Sequence, residues 1–203
     1  MSRYCSQCGK SRKACICRWI VPLDSAVELI ILQHRSEEHR PLGTARILKL
    51  SLKTCTCIVG EDFSEHPLLN QWLADDKYDH FILYPSEHSV CLSELDSSVR
   101  QGKKIRLILL DGTWKKAYKM WQLSRNLHHL PTVKLPDTLH GHYTIRKAPS
   151  DSSLSTVEAG FHALRLIDPS RDFSPLLTAF EKMIEFQIAQ MPPGVFEKNY
   201  LKE

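Results

Sequence analysis

Four short apolar runs limit the folds open to this chain: "ELIILQ" (28–33), "TCTCIV" (54–59), "HFILYP" (80–85) and "IRLILLD" (105–111). Each has strand length, and their β-branched and aromatic residues favour extended backbone over helix. Helical periodicity fills about 42–52, 67–74 and 113–123 between and after them. Strands alternating with helices predict an α/β fold with a mainly parallel sheet flanked by helices. A further helix is expected over "SPLLTAFEKMIEFQIAQM" (174–191), with Pro175 near its start and Pro192–Pro193 stopping it.

Ligands of such sheets gather beyond the carboxyl ends of the strands, which here are Gln33–His34, Tyr84–Pro85–Ser86 and Asp111–Gly112–Thr113. In "LLDGTWKKAYKM", Thr113 suits a helix N-cap, and Asp111 is either a turn residue or part of a site. The helix that follows places Trp114, Ala117, Tyr118 and Trp121 on one stripe and Lys115, Lys116 and Lys119 on the other side. Tyr118 and Trp121 are expected in the core. A second junction, "YTIRKAPSDSSLSTVEAGFHALRLI" (143–167), holds a Ser155–Glu158 capping box for a helix with Val157, Phe161, Leu164 and Ile167 on its apolar face. Capping accounts for Ser155 and Glu158 but not for the basic pair Arg146–Lys147.

Four of the seven cysteines lie within residues 5–17, spaced Cys5-x2-Cys8-x6-Cys15-x-Cys17. In a reducing compartment two close thiolate pairs joined by a short basic loop wrap a tetrahedral Zn²⁺ in preference to forming disulfides. A loose, reduced tail is the alternative. Four thiolates close the coordination sphere, so zinc there folds a knuckle and leaves no position for substrate. The expected division is a knuckle over 1–22 and a main domain over 23–203. Cys55, Cys57 and Cys91 are expected as small core residues.

The 42% hydrophobic and 25% charged content is that of a globular domain, and the net charge of +4 permits a nucleic-acid partner without requiring one. No apolar stretch approaches the ~20 residues of a membrane span, and "MSRYCSQCGK" has no hydrophobic signal core. No membrane association is expected, and the cytosol is the expected compartment. The chain lacks G-x-x-x-x-G-K-[ST], G-x-G-x-x-G after a strand, H-E-x-x-H and G-x-S-x-G. Phosphate-loop hydrolysis, dinucleotide redox chemistry and triad hydrolysis lose their usual support.

Several separated motifs resemble those of the DTW-domain proteins. "LLDGTW" carries the Asp-x-Thr-Trp signature; "LQHRSEEHRPLGTARILKLSL" (32–52), "LYPS" (83–86), "YTIRKAP" and "LSTVEA" resemble the other family segments in family order, and the cysteine spacing also matches. Gly43 departs from the pattern, standing where family members often carry an asparagine. The resemblance implies a tRNA-uridine aminocarboxypropyltransferase that uses S-adenosylmethionine (SAM) and places a 3-amino-3-carboxypropyl group on uridine N3. It further implies a fold similar to the knotted SPOUT methyltransferases and, from bacterial members, a target in the tRNA variable loop. SPOUT relatives are often homodimers, whereas the knuckle and a complete basic surface would let a monomer suffice.

On that resemblance SAM binding falls to Leu83, Tyr84, Pro85, Ser86, Leu110, Asp111, Gly112, Leu154, Ser155, Thr156, Glu158 and Ala159, with Arg146 and the Ser155 helix start as candidates for its carboxylate. Asp111 is the candidate base for uridine N3, with orientation of uracil or of the SAM amino group as the rival role; Thr113 orients or caps, and Trp114 stacks or packs. RNA contacts are expected from His34, Arg40, Arg46, Lys115, Lys116, Lys119 and Lys147, besides the basic knuckle. His34 is equally read as a satisfied histidine at a strand end. Two other classes stay open: a SAM-dependent SPOUT-type RNA methyltransferase and a non-catalytic zinc-dependent RNA-binding module.

Overall fold

The computed structural model describes residues 2–95, 102–139 and 154–196. Within them, β1 (Val27–His34), β2 (Cys55–Gly60), β3 (Tyr78–Leu83), β4 (Val90–Cys91), β5 (Lys104–Asp111) and β6 (Thr132–Lys134) form one sheet in the order β2-β1-β5-β3-β6-β4. Every neighbouring pair is parallel. The central strands β1 and β5 are buried along nearly their whole length, because helices cover both faces. That cover explains why their sequences read as continuous apolar runs.

The helices are α1 (Ala45–Ser51), α2 (Pro67–Leu73), α3 (Trp114–Leu123), α4 (Thr156–Ile167) and α5 (Ser174–Ala189). On one face Leu29, Ile31, Leu107 and Leu109 pack with Leu48 of α1, Val157 and Leu164 of α4 and Phe180 of α5. On the other, Ile30, Leu32 and Ile108 pack with Leu69 of α2 and Met120 of α3. A Cβ on Gly160 would come within 2.7 Å of Leu48, so the glycine lets α4 lie against α1. The α/β expectation holds, and four expected strands and five expected helical segments are present. β4 and β6, of two and three residues, were not foreseen. The helix expected over 42–52 starts only at Ala45, because a turn with Gly43 N–H donating to Arg40 carbonyl precedes it.

Two local expectations need correction. Tyr118 is 56% exposed, because the buried stripe of α3 runs through Ala117 and Met120 and places Tyr118 outside it. Cys91 sits half-buried on the edge strand β4, its thiol 3.0 Å from Ser93 Oγ rather than in the core, whereas Cys55 and Cys57 do pack against the core. Arg106 is inside β5, ion-paired to Glu28 at 3.0 Å and stacked over the Tyr78 ring.

The N-terminal segment folds back through an antiparallel bridge between Tyr4 and Ser11. Gly9, at φ 66°, makes the turn that L side chains resist. Cys8 and Ile16 join the same buried cluster as Leu29 and Phe180. Lys10 donates to the Pro41 carbonyl and ties the segment to the loop before α1. No helix is long and apolar enough to cross a membrane among the described residues.

Candidate active site

Asp111 ends β5, directly opposite Gln33 at the end of β1 in the parallel register. Opposed residues point to the same sheet face, so their side chains meet: Gln33 Nε2 donates to Asp111 Oδ2 at 2.7 Å. Thr156, the first residue of α4, donates its hydroxyl to Asp111 Oδ1. Two elements distant in sequence thus hold the two carboxylate oxygens of a side chain that is 7% exposed. A carboxylate fixed in this way has a defined plane, which a base or an orienting acceptor needs.

A cleft of about 360 Å³ opens beside this junction. Leu83, Tyr84, Pro85, Leu110, Gly112, Trp114, Leu154, Thr156 and Ala159, all named from the sequence, line it. Leu109, Ala117 and the segment Lys134, Leu135, Pro136, Asp137 and Leu139 line it as well. No local signal in the residues marks that last segment, which begins at the last residue of a strand only three residues long. Asp111, Ser86, Ser155 and Glu158 are not among the lining residues: Asp111 stands behind Thr156, Ser86 Oγ meets Thr132 Oγ1 at 2.9 Å, and Ser155 and Glu158 close the expected capping box on α4. Arg146 and Lys147 lie outside the described residues.

Thr113 caps α3, its hydroxyl accepting from Lys116 N–H. Gly112 has no positive φ, and a Cβ there would stand 3.1 Å from Lys116 Cβ; it is a glycine for space at the strand-to-helix turn. Trp114 is 52% exposed at the cleft, which removes packing as its main role. Tyr84 stacks on Trp121 with ring centroids 5.4 Å apart, and burial raises its phenol above the ordinary range.

The expected RNA-contacting groups are largely engaged within the protein. His34 Nδ1 accepts from Ser36 N–H, so a neutral ring carries its proton on Nε2 and donates to Glu61 at 3.1 Å; this is the satisfied histidine. Lys119 also reaches Glu61 at 3.0 Å, and these two partners hold that carboxyl below its usual range, Lys119 first. Lys116 and Arg40 share Glu37 at 2.7 and 3.2 Å, and Arg46 donates to the Glu38 carbonyl at 2.8 Å. Lys115 is exposed and makes no ion pair among the described residues. Partly exposed pairs of this kind are worth about 0–1 kcal/mol, so these cations can exchange a carboxylate for a phosphate.

The knuckle sulfurs of Cys5, Cys8, Cys15 and Cys17 all lie within 4.8 Å of one another, with Cys5–Cys17 and Cys8–Cys15 each at 3.7 Å. Four sulfurs at ~2.3 Å from a tetrahedral zinc stand ~3.8 Å apart, so the donors and their spacing fit a structural metal. The backbone N–H groups of Cys8 and then Gln7 lower the Cys5 thiol to about 6. Burial, followed by the neighbouring thiols, raises Cys17.

The DTW domain profile matches residues 2–188. The chain is 35% identical to the Drosophila melanogaster protein named tRNA-uridine aminocarboxypropyltransferase 2, over 81% of this chain and 66% of that protein. It is 30% identical to the Macaca fascicularis protein of that name, over 91% and 63%, and 31% identical to the Mus musculus one, over 97% and 67%. The chain thus spans about two thirds of the length of these curated relatives.

Proposed function

The chain belongs to the DTW-domain family, and from that premise we propose that it is a tRNA-uridine aminocarboxypropyltransferase. The observation that carries the proposal is Asp111 of the family signature, held by Gln33 and Thr156 next to a ligand-sized cleft. The cleft fits SAM in volume, lying within the ~300–1,000 Å³ of small-molecule sites, and in its mainly apolar lining of leucines, prolines and a tryptophan. Leu83, Tyr84, Pro85, Leu110 and Leu135 take its apolar surface, while Arg146 and the start of α4 are assigned to its carboxylate.

The co-substrate supplies a sulfonium-activated Cγ: uridine N3 forms a bond to Cγ, the Cγ–S bond breaks, and its electron pair leaves on methylthioadenosine. The protein's task is to present N3 to Cγ rather than to the methyl group, and to receive or direct the N3 proton. Asp111 performs the second task, because it is the anchored carboxylate at the strand end. Cys5, Cys8, Cys15 and Cys17 hold a zinc that shapes the basic knuckle for the tRNA backbone, with the knuckle (1–22) and the main domain (23–203) as its two functional parts. The all-parallel sheet is compatible with a knotted SPOUT relationship, which is part of this proposal, as is a reducing, cytosolic setting.

The test is incubation with SAM and tRNA lacking the modification, followed by nucleoside mass spectrometry. Aminocarboxypropyluridine with methylthioadenosine is expected. A methylated nucleoside with S-adenosylhomocysteine, or no product, contradicts the proposal.

A further inference from the structure

A second cleft, of about 250 Å³, lies on the other side of Gln33, against β2, α1 and the knuckle. Gln33, Glu37, His39, Arg46, Lys49 and Val59 are among its lining residues. The two clefts flank one buried carboxylate that lines neither of them: Thr156 from the first and Gln33 from the second each donate to an oxygen of Asp111. From this arrangement we infer that the second cleft is the subsite for the acceptor nucleotide, a pyrimidine nucleoside with its flanking phosphates.

Three features support that occupant. The first cleft stands at the low end of ligand-sized volumes, with room for one co-substrate, so the acceptor needs its own approach to Asp111. The second is large enough for a planar pyrimidine and is lined by polar and apolar groups in similar measure, as a base with a polar edge and an apolar face requires, with Gln33 setting its inner wall. Because Asp111 Oδ2 accepts, the Gln33 amide nitrogen faces the carboxylate, and its Oε1 faces the Cys57 thiol at 3.8 Å on the cleft side. The charge at the rim is also suitable. Of the two acids that line it, Glu37 already answers Lys116 and Arg40 and Glu38 stands 3.8 Å from His39 Nε2, whereas Lys49 is exposed and makes no ion pair among the described residues, and Arg46 gives one donor to a backbone carbonyl and keeps its full charge. Lys49 and Arg46 therefore offer phosphate contacts at the mouth.

The inference rests on the transferase reading, and the test separates the two. Val59 is 38% exposed on the edge strand β2, so Val59→Trp fills the second cleft from a position with room for a larger side chain. The expected result is a fall of at least tenfold in kcat/KM for tRNA with SAM affinity within twofold of the parent. Leu135→Trp in the first cleft should do the reverse, weakening SAM at least tenfold. Lys49→Glu, on an exposed helical position, supplies the same test if Val59→Trp lowers the thermal midpoint, and should raise the KM for tRNA severalfold. Parent-level kcat/KM in a folded Val59→Trp, or a parent-level KM in Lys49→Glu, overturns the inference while leaving the transferase reading intact. A parent protein that transfers nothing to tRNA overturns both.

Discussion

Asp111 at the end of β5 has its two carboxylate oxygens held by Gln33 and Thr156. Its position was legible in the sequence, because an apolar run stops at "LLD" and a capped helix starts two residues later. Its anchors were not, since Gln33 and Thr156 lie 78 and 45 positions away and only the β1–β5 register and the docking of α4 bring them together. We predict that Asp111→Asn reduces kcat by about 10²–10⁴, the usual scale of general acid–base catalysis, with SAM affinity retained in calorimetry. Gln33→Leu, which leaves the carboxylate in place but removes one of its hydrogen bonds, should lower kcat about tenfold, as expected for a lost positioning contact. Cys57 and Cys55 give a pH test at the same scale. Burial raises their thiols to about 11 and about 12. Both should resist alkylation at pH 8 and react only as the pH approaches those values, read by peptide mass spectrometry. The folded state holds these protons where the unfolded chain has lost them, so stability should fall as pH rises from 9 upward.

Among the elements, the long strands and helices were readable because burial on both faces of the sheet leaves continuous apolar runs, and caps mark the helix starts. β4 and β6 were not, because strands of two and three residues exist only through their pairing and carry no period of their own. The phase of α3 was also misread. Each residue turns a helix by about 100°, so a stripe centred on Ala117 and Met120 instead of Trp114 and Tyr118 moves Tyr118 out to solvent. The capping box of α4 makes a quantitative prediction. Ser155 is 2% exposed and Glu158 is 1% exposed, so water cannot replace the lost cap. Ser155→Ala should cost about 1–2 kcal/mol in urea unfolding; an unchanged midpoint would mean that the cap bears no weight.

For the whole molecule, the knuckle and the sheet share one core through Cys8 and Ile16. Metal removal should therefore be felt beyond the knuckle. Burial of Ile16 alone is worth about 2 kcal/mol, which at about 2–4 °C per kcal/mol corresponds to a drop of about 4–8 °C in thermal midpoint after chelation. A chelated protein that melts at the original temperature would exclude a structural metal. On the proposed function, one carboxylate directs a uridine to the amino-acid carbon of SAM and away from the methyl. Parallel incubations with unmodified tRNA, one with SAM labelled in its carboxyl carbon and one labelled in its methyl group, measure that choice directly. The carboxyl label should enter the RNA and the methyl label should depart in methylthioadenosine; methyl label in the RNA would overturn the assignment.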